Sequence, residues 1–218
     1  MADQHGKKFK TSQELFWAGE FGDEYVLRNQ GDALRASNIA LFSAILASTT
    51  SIRSLIEYGA NIGVNLIALR HLLPVVELAA VEINKNAVEQ LRALGNIEVH
   101  HASMLAFVPD RAYDLVLSKG VLIHLSPEEL PRAYELLHRS TARYICIAEY
   151  YNPTPMTVTY RGHAERLFKR DFAGEMLDRF PDLALVKYGF AYHRDPVFPQ
   201  DDITWFLLEK RAVGAREA

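Results

Sequence analysis

The stretch Ser51-Ile52-Arg53-Ser54-Leu55-Ile56-Glu57-Tyr58-Gly59-Ala60-Asn61-Ile62-Gly63-Val64-Asn65 decides the fold. Ile52 to Tyr58 reads as a buried strand, two glycines four positions apart read as a tight turn, and Gly63 to Leu73 then repeats apolar residues at helical spacing. Gly59 frees the chain to turn sharply and approach a ligand, and Gly63 lets the helix start against the strand with no Cβ between them.

Outward from this unit, strand-like runs over Val76 to Ile83, Ile97 to His101, Tyr113 to Leu117 and Tyr144 to Ala148 alternate with helical patterns. Those patterns cover Lys85 to Leu94 and Pro127 to Arg139, and Asp32 to Ala47 forms a further helix before the first strand. The alternation predicts a doubly wound α/β fold, a mostly parallel seven-stranded sheet with helices on both faces. Leu183 to Tyr192 and Ile203 to Lys210 have no helix between them, so an antiparallel strand pair is expected at one edge.

The 218 residues are 49% hydrophobic, enough for a large core and consistent with one domain over 1–218 and no linker. Within it, 1–50 is expected to be a helical cover, 51–211 the α/β core, and 150–170 a loop over the ligand. Met1 to Thr11 and Ala212 to Ala218 are expected to fray. Lys plus Arg number 24 against 27 Asp plus Glu, and the net charge of −3 gives no general attraction to nucleic acid or acidic membranes. No run of about 20 apolar residues exists and the start is polar, so a cytoplasmic protein is expected. The single cysteine, Cys146, lies in an apolar run and reads as a small core residue. No His pair has zinc-site spacing, and no metal is expected.

The Gly59 turn matches neither a dinucleotide loop nor a Walker loop. It resembles motif I of class I S-adenosylmethionine methyltransferases, in which an acidic residue stands two positions before the first glycine, as Glu57 does. The resemblance implies S-adenosylmethionine as cofactor, Glu57 near the amino end of its methionyl part, and Gly59, Asn61 and Gly63 along its path. Glu82, ending the next strand, is expected on the ribose hydroxyls, with Ile83 against adenine. Ser103 and Met104 follow the third strand, where an Asp is more usual in the family. Ser118 and Gly120 end the fourth strand beside the activated methyl.

His124 follows, and imidazole, with an unperturbed pKa near ~6.5, suits a general base acting on a hydroxyl or amine. The competing reading is a structural histidine that orders the loop. Glu149, Tyr150, Asn152, Tyr160 and Arg161 combine flat apolar faces with polar groups, as a sugar needs. Arg161 suits a phosphate or carboxylate.

Several further segments carry a narrower resemblance. They are Phe16-Trp17-Ala18-Gly19-Glu20-Phe21-Gly22-Asp23-Glu24-Tyr25, Asn152-Pro153-Thr154-Pro155, Tyr160-Arg161-Gly162-His163, Leu167-Phe168-Lys169-Arg170-Asp171-Phe172 and Asp201-Asp202-Ile203-Thr204-Trp205-Phe206-Leu207-Leu208-Glu209-Lys210. With them the chain looks like a pseudaminic-acid-biosynthesis-associated methylase from about Leu15 to Lys210. This implies a small-molecule acceptor, a nonulosonic-acid-type sugar or a sugar nucleotide precursor. It also implies that Phe16 to Asn29 folds over the cleft, with Trp17 and Tyr25 as apolar cover and Arg28 near a carboxylate. The other functions weighed are RNA or protein methylation and a non-catalytic cofactor-binding scaffold. Oligomeric state is not legible.

Overall fold

The computed structural model describes residues 9–28 and 31–211. Three helices come first, α1 (Ser12–Ala18), α2 (Glu20–Arg28) and α3 (Asp32–Leu46). There follow β1 (Ser54–Tyr58), α4 (Val64–Leu72), β2 (Glu77–Glu82), α5 (Lys85–Ala93), β3 (Glu98–His101), β4 (Tyr113–Lys119), α6 (Leu130–Ser140) and β5 (Thr141–Glu149). The chain then forms β6 (Met156–Tyr160), β7 (His163–Lys169), α7 (Phe172–Arg179), β8 (Leu183–Ala191) and β9 (Ile203–Lys210).

Seven strands make one sheet in the order β3-β2-β1-β4-β5-β9-β8. The expected doubly wound fold is present. Strands β1 to β5 are mutually parallel, and β9 runs antiparallel to both β5 and β8. Of the expected antiparallel pair, β8 is the outer edge and β9 lies inside it. The strand order reverses between β1 and β4, and the crevice above their C-terminal ends is where such sheets bind ligands.

Period-two alternation sorts the core onto the two faces of the sheet. Ile56 and Tyr58 pack with Val116, Ile145 and Ile147 on one side, while Leu55 packs with Leu115, Leu117 and Cys146 on the other. Cys146 is a buried free thiol, as its apolar run implies. At the opposite end of β1 the Asp114 carboxylate accepts from the backbone N–H of Arg53 (2.8 Å) and Ser54 (3.1 Å), fixing the β1–β4 register.

Three boundaries differ from the sequence reading. Pro127–Glu129 forms a separate 3-10 turn, so α6 starts only at Leu130. Thr11, expected to fray, is the N-cap of α1: its hydroxyl accepts from Glu14 N, and the Glu14 carboxylate accepts from Thr11 N at 2.8 Å. Residues 1–8 and 212–218, like Asn29, lie outside the described residues. The third difference is the 150–170 segment, read as a loop. Most of it is the β6–β7 hairpin, closed by Arg161 (φ 48°) and Gly162 (φ 85°). Positive φ at both central residues is the two-residue turn that suits strand twist, and the β-branched run Thr157-Val158-Thr159 favours a strand over a loop.

No helix among the described residues is long and apolar enough to cross a membrane. No cluster of three His, Cys, Asp or Glu among them could hold a metal ion.

Candidate active site

At the end of β1, Gly59 takes φ 72° and its N–H donates to Val81 O at 2.8 Å, drawing the turn against β2. A Cβ on Gly59 would lie 2.5 Å from Val121 Cγ2, so the β4 loop closes onto the turn only because the position is glycine. Gly63 (φ 82°) starts α4, and a Cβ there would fall 2.7 Å from Leu91 Cδ2. The second glycine therefore serves the approach of α5, where the sequence reading invoked the strand. Asn61 (φ 48°) donates its N–H to Glu82 Oε2 at 2.7 Å, and Asn84 N donates to Glu82 Oε1 at 2.7 Å. Glu82 thus laces the end of β2 to the glycine turn. Burial raises its carboxyl pKa, partly offset by those two bonds.

A cavity opens over these strand ends. Gly59, Asn61, Glu82, Ile83, Ser103, Met104, Gly120 and His124 line it from the sheet side, and Trp17 and Tyr25 from α1 and α2. The structure brings ten of the nineteen expected site residues together. Glu14 pins the cover: its carboxylate accepts from the Ser103 hydroxyl on one oxygen and from Lys10 N (2.7 Å) on the other.

The remaining nine lie outside that lining, each for a visible reason. Gly63 is against α5. Glu57 is fully buried beside the turn, accepting from Asn65 Nδ2 at 2.6 Å, while its other oxygen has no partner. Ser118 and Glu149 are buried together: Glu149 Oε1 accepts from Ser118 Oγ (3.2 Å), Val121 N (3.0 Å) and Leu122 N (3.0 Å). They order the β4 loop and lie outside the cavity lining. Arg28 is exposed and pairs with Glu24 one helical turn away at 3.7 Å. Tyr150 is half-buried with Lys169 Nζ 5.1 Å from its ring centre, and Asn152 Nδ2 donates to Thr154 O. Arg161 sits exposed at the hairpin tip over Tyr160, whose own ring reaches the site by packing on His124 and Trp17, 5.0 Å and 6.5 Å between centroids.

His124 is 8% exposed and its Nδ1 is 2.6 Å from the Arg166 carbonyl oxygen of β7. A carbonyl only accepts, so Nδ1 carries the hydrogen and the neutral ring keeps a lone pair on Nε2. Burial pushes its pKa down to about 4, against the raising effect of that hydrogen bond. The ring is therefore neutral near pH 7 and a weak base. Trp17 packs on its other side at 4.6 Å.

Sequence reasoning missed a second set of groups. Asn65 accepts from Asn38 Nδ2 (2.9 Å), and Asn38 accepts from Gln200 Nε2 (2.9 Å), so a chain of amides runs from Glu57 to the segment before β9. Burial raises the Glu57 pKa to about 8, against the lowering effects of Asn65 and the Lys119 charge. The Thr11-x-x-Glu14 capping pattern and Asn84 ahead of the α5 run were legible signals. Asn38 and Gln200 meet across 162 positions and left no local trace.

Residues 55–143 match a family model described as a methyltransferase domain. The match spans β1 through the start of β5, and so contains the glycine turn, Glu82 and His124 but neither the helical cover nor the hairpin. The chain is similar in fold to the plantazolicin methyltransferase BpumL, solved with a desmethyl analogue and SAH. The TM-score is 0.65 at 12% identity, over 91% of this chain and 95% of that one. It is also similar to the 1,6-didemethyltoxoflavin-N1-methyltransferase of Burkholderia thailandensis (TM-score 0.65, 13% identity, 92% and 87% covered). A third similar structure is the magnesium protoporphyrin IX methyltransferase of Synechocystis PCC 6803 (TM-score 0.65, 12% identity, 94% and 100% covered). No curated protein matches the chain by sequence.

Proposed function

We propose that this protein is an S-adenosylmethionine-dependent methyltransferase acting on an oxygen or nitrogen of a small molecule. The observation that carries this is the pairing, inside the methyltransferase domain, of the Gly59–Asn61 turn with the Glu82 carboxylate at the end of β2. The residues fit the cofactor in three respects. Backbone at Gly59 can approach it closely, Glu82 keeps lone pairs for ribose hydroxyls, and Glu57 has a buried oxygen without a partner beside the same turn. The similar methyltransferases named above, solved with SAH or SAM, support the same cofactor.

When bound, the cofactor supplies a sulfonium methyl already activated for in-line displacement. The chain contributes position and exclusion of water. Trp17 and Tyr25 cover the cavity, the Glu149-ordered turn after β4 fixes Val121 and Leu122, and His124 offers a bare Nε2 to an acceptor proton.

For the acceptor, the resemblance in the cover, hairpin and C-terminal segments favours a nonulosonic-acid-type sugar or a sugar nucleotide. The aromatic faces of Trp17 and Tyr25, set beside the polar His124, suit the mixed faces of such a ring. Mass spectrometry of sugars incubated with enzyme and S-adenosylmethionine tests this. A gain of one methyl on a nonulosonic acid is expected. Methylation confined to other acceptor classes would retain the enzyme and discard the sugar, and calorimetry without binding of S-adenosylhomocysteine would discard the cofactor.

A further inference from the structure

We propose that Lys119, at the end of β4, holds the carboxylate of the cofactor's amino-acid end in place of the expected Arg28. The inference rests on the cofactor reading above and adds a residue to it. Lys119 is the only lysine or arginine among the described residues that line the cavity, which otherwise presents the carboxylates of Glu14, Glu82 and Asp201. Among the described side chains that line the cavity, only this one offers an anionic group a cationic partner.

The Lys119 ammonium makes no hydrogen bond or ion pair with any described residue. The carboxylates of Glu57, Asp201 and Glu149 act on it only through space. Burial pulls its pKa down against the raising effects of those acidic groups, and its donors are unspent. Such a group gains most from a ligand oxygen that accepts from it. Alternation along β4 puts Lys119 on the same face of the sheet as Leu117, and the parallel register pairs Leu117 with Glu57. Glu57 and the exposed Asp201 carboxylate both lie close enough to Lys119 to act on it electrostatically. A lysine beside the Asp201 carboxylate matches a ligand end carrying both a carboxylate and an ammonium.

The test compares S-adenosylhomocysteine with 5′-methylthioadenosine, which shares the nucleoside but lacks the amino-acid end. Calorimetry on Lys119→Met and Lys119→Gln should show S-adenosylhomocysteine weakened about 10- to 100-fold, the range for a lost charge-assisted hydrogen bond. Methylthioadenosine affinity should stay within about twofold of wild type. Melting curves should show both variants folded, since a methionine relieves the burial of charge. Equal weakening of the two ligands would make Lys119 a structural residue and overturn the proposal, as would unchanged affinity for both. A wild-type protein that binds neither ligand would instead overturn the cofactor reading.

Discussion

Asn65 Nδ2 lies 2.6 Å from Glu57 Oε1, and this bond is the first of the amides that reach Gln200. It holds a carboxyl buried in full beside the glycine turn, satisfied on one oxygen and bare on the other. A half-satisfied buried carboxyl is costly when ionised, and its titration should govern how the protein responds to pH.

The folded-state pKa of Glu57 stands at about 8, raised from 4.5 by burial. A raised acid pKa contributes stability that is complete below the unfolded value and is lost as pH rises through the folded one. The wild-type melting temperature should therefore fall between pH 5 and pH 8.5. Glu57→Gln stays neutral and should narrow that fall by about 5 °C. Parallel melting curves for the two proteins would expose the assignment as wrong.

Replacing Glu82 by Ala removes the acceptor for both Asn61 N and Asn84 N. S-adenosylhomocysteine affinity should drop by about 1.5–3 kcal/mol, the contribution of charged hydrogen bonds. The melting temperature should fall as well, because two backbone donors lose their partner. Calorimetry on the folded variant decides it, and unchanged affinity removes Glu82 from the site.

His124→Ala should lower turnover about 10²- to 10⁴-fold while changing cofactor affinity little, since a base acts on the acceptor. With the folded pKa lowered to about 4, the neutral ring stabilises the fold above the unfolded value of 6.5 and that stability is lost as pH falls through 4. Wild-type turnover should accordingly show no titration of this ring between pH 5.5 and 8. Full turnover in the variant would make His124 a residue that only ties the β4 loop to Arg166.

Glu14→Ala should free the cover, because one side chain caps α1 and meets Ser103 across the cavity. Loss of the cap alone costs about 1 kcal/mol. Faster proteolysis within α1 and weaker S-adenosylhomocysteine binding are expected together. Limited proteolysis with and without ligand measures both, and a variant as resistant as wild type would show that the cover is held by its aromatic packing alone.

Local pattern determined most of the α/β layer. The alternation of strand and helix, the two glycines at the end of β1 and Glu82 at the end of β2 are encoded within short windows, where side-chain period and turn chemistry act directly. The hairpin at 156–169 was also encoded locally, in Thr157-Val158-Thr159 and Arg161-Gly162, but proline in the preceding turn drew the reading toward a loop. Whether a charged residue meets the ligand was decided only in three dimensions. Arg28 and Lys119 are both cations near the ends of elements, yet a single helical turn directs Arg28 to Glu24 in solvent, and strand register directs Lys119 into the cavity. Glu57 and Glu149 carry the same carboxylate as Glu82 and sit at or next to strand ends like it, yet they are turned into buried hydrogen bonds and lie outside the cavity lining. Sequence fixes periodicity because it depends on neighbours three or four positions apart. Solvent, ligand or core around a charge depends on contacts such as Asn38 to Gln200, and chain separation erases any local signature of those.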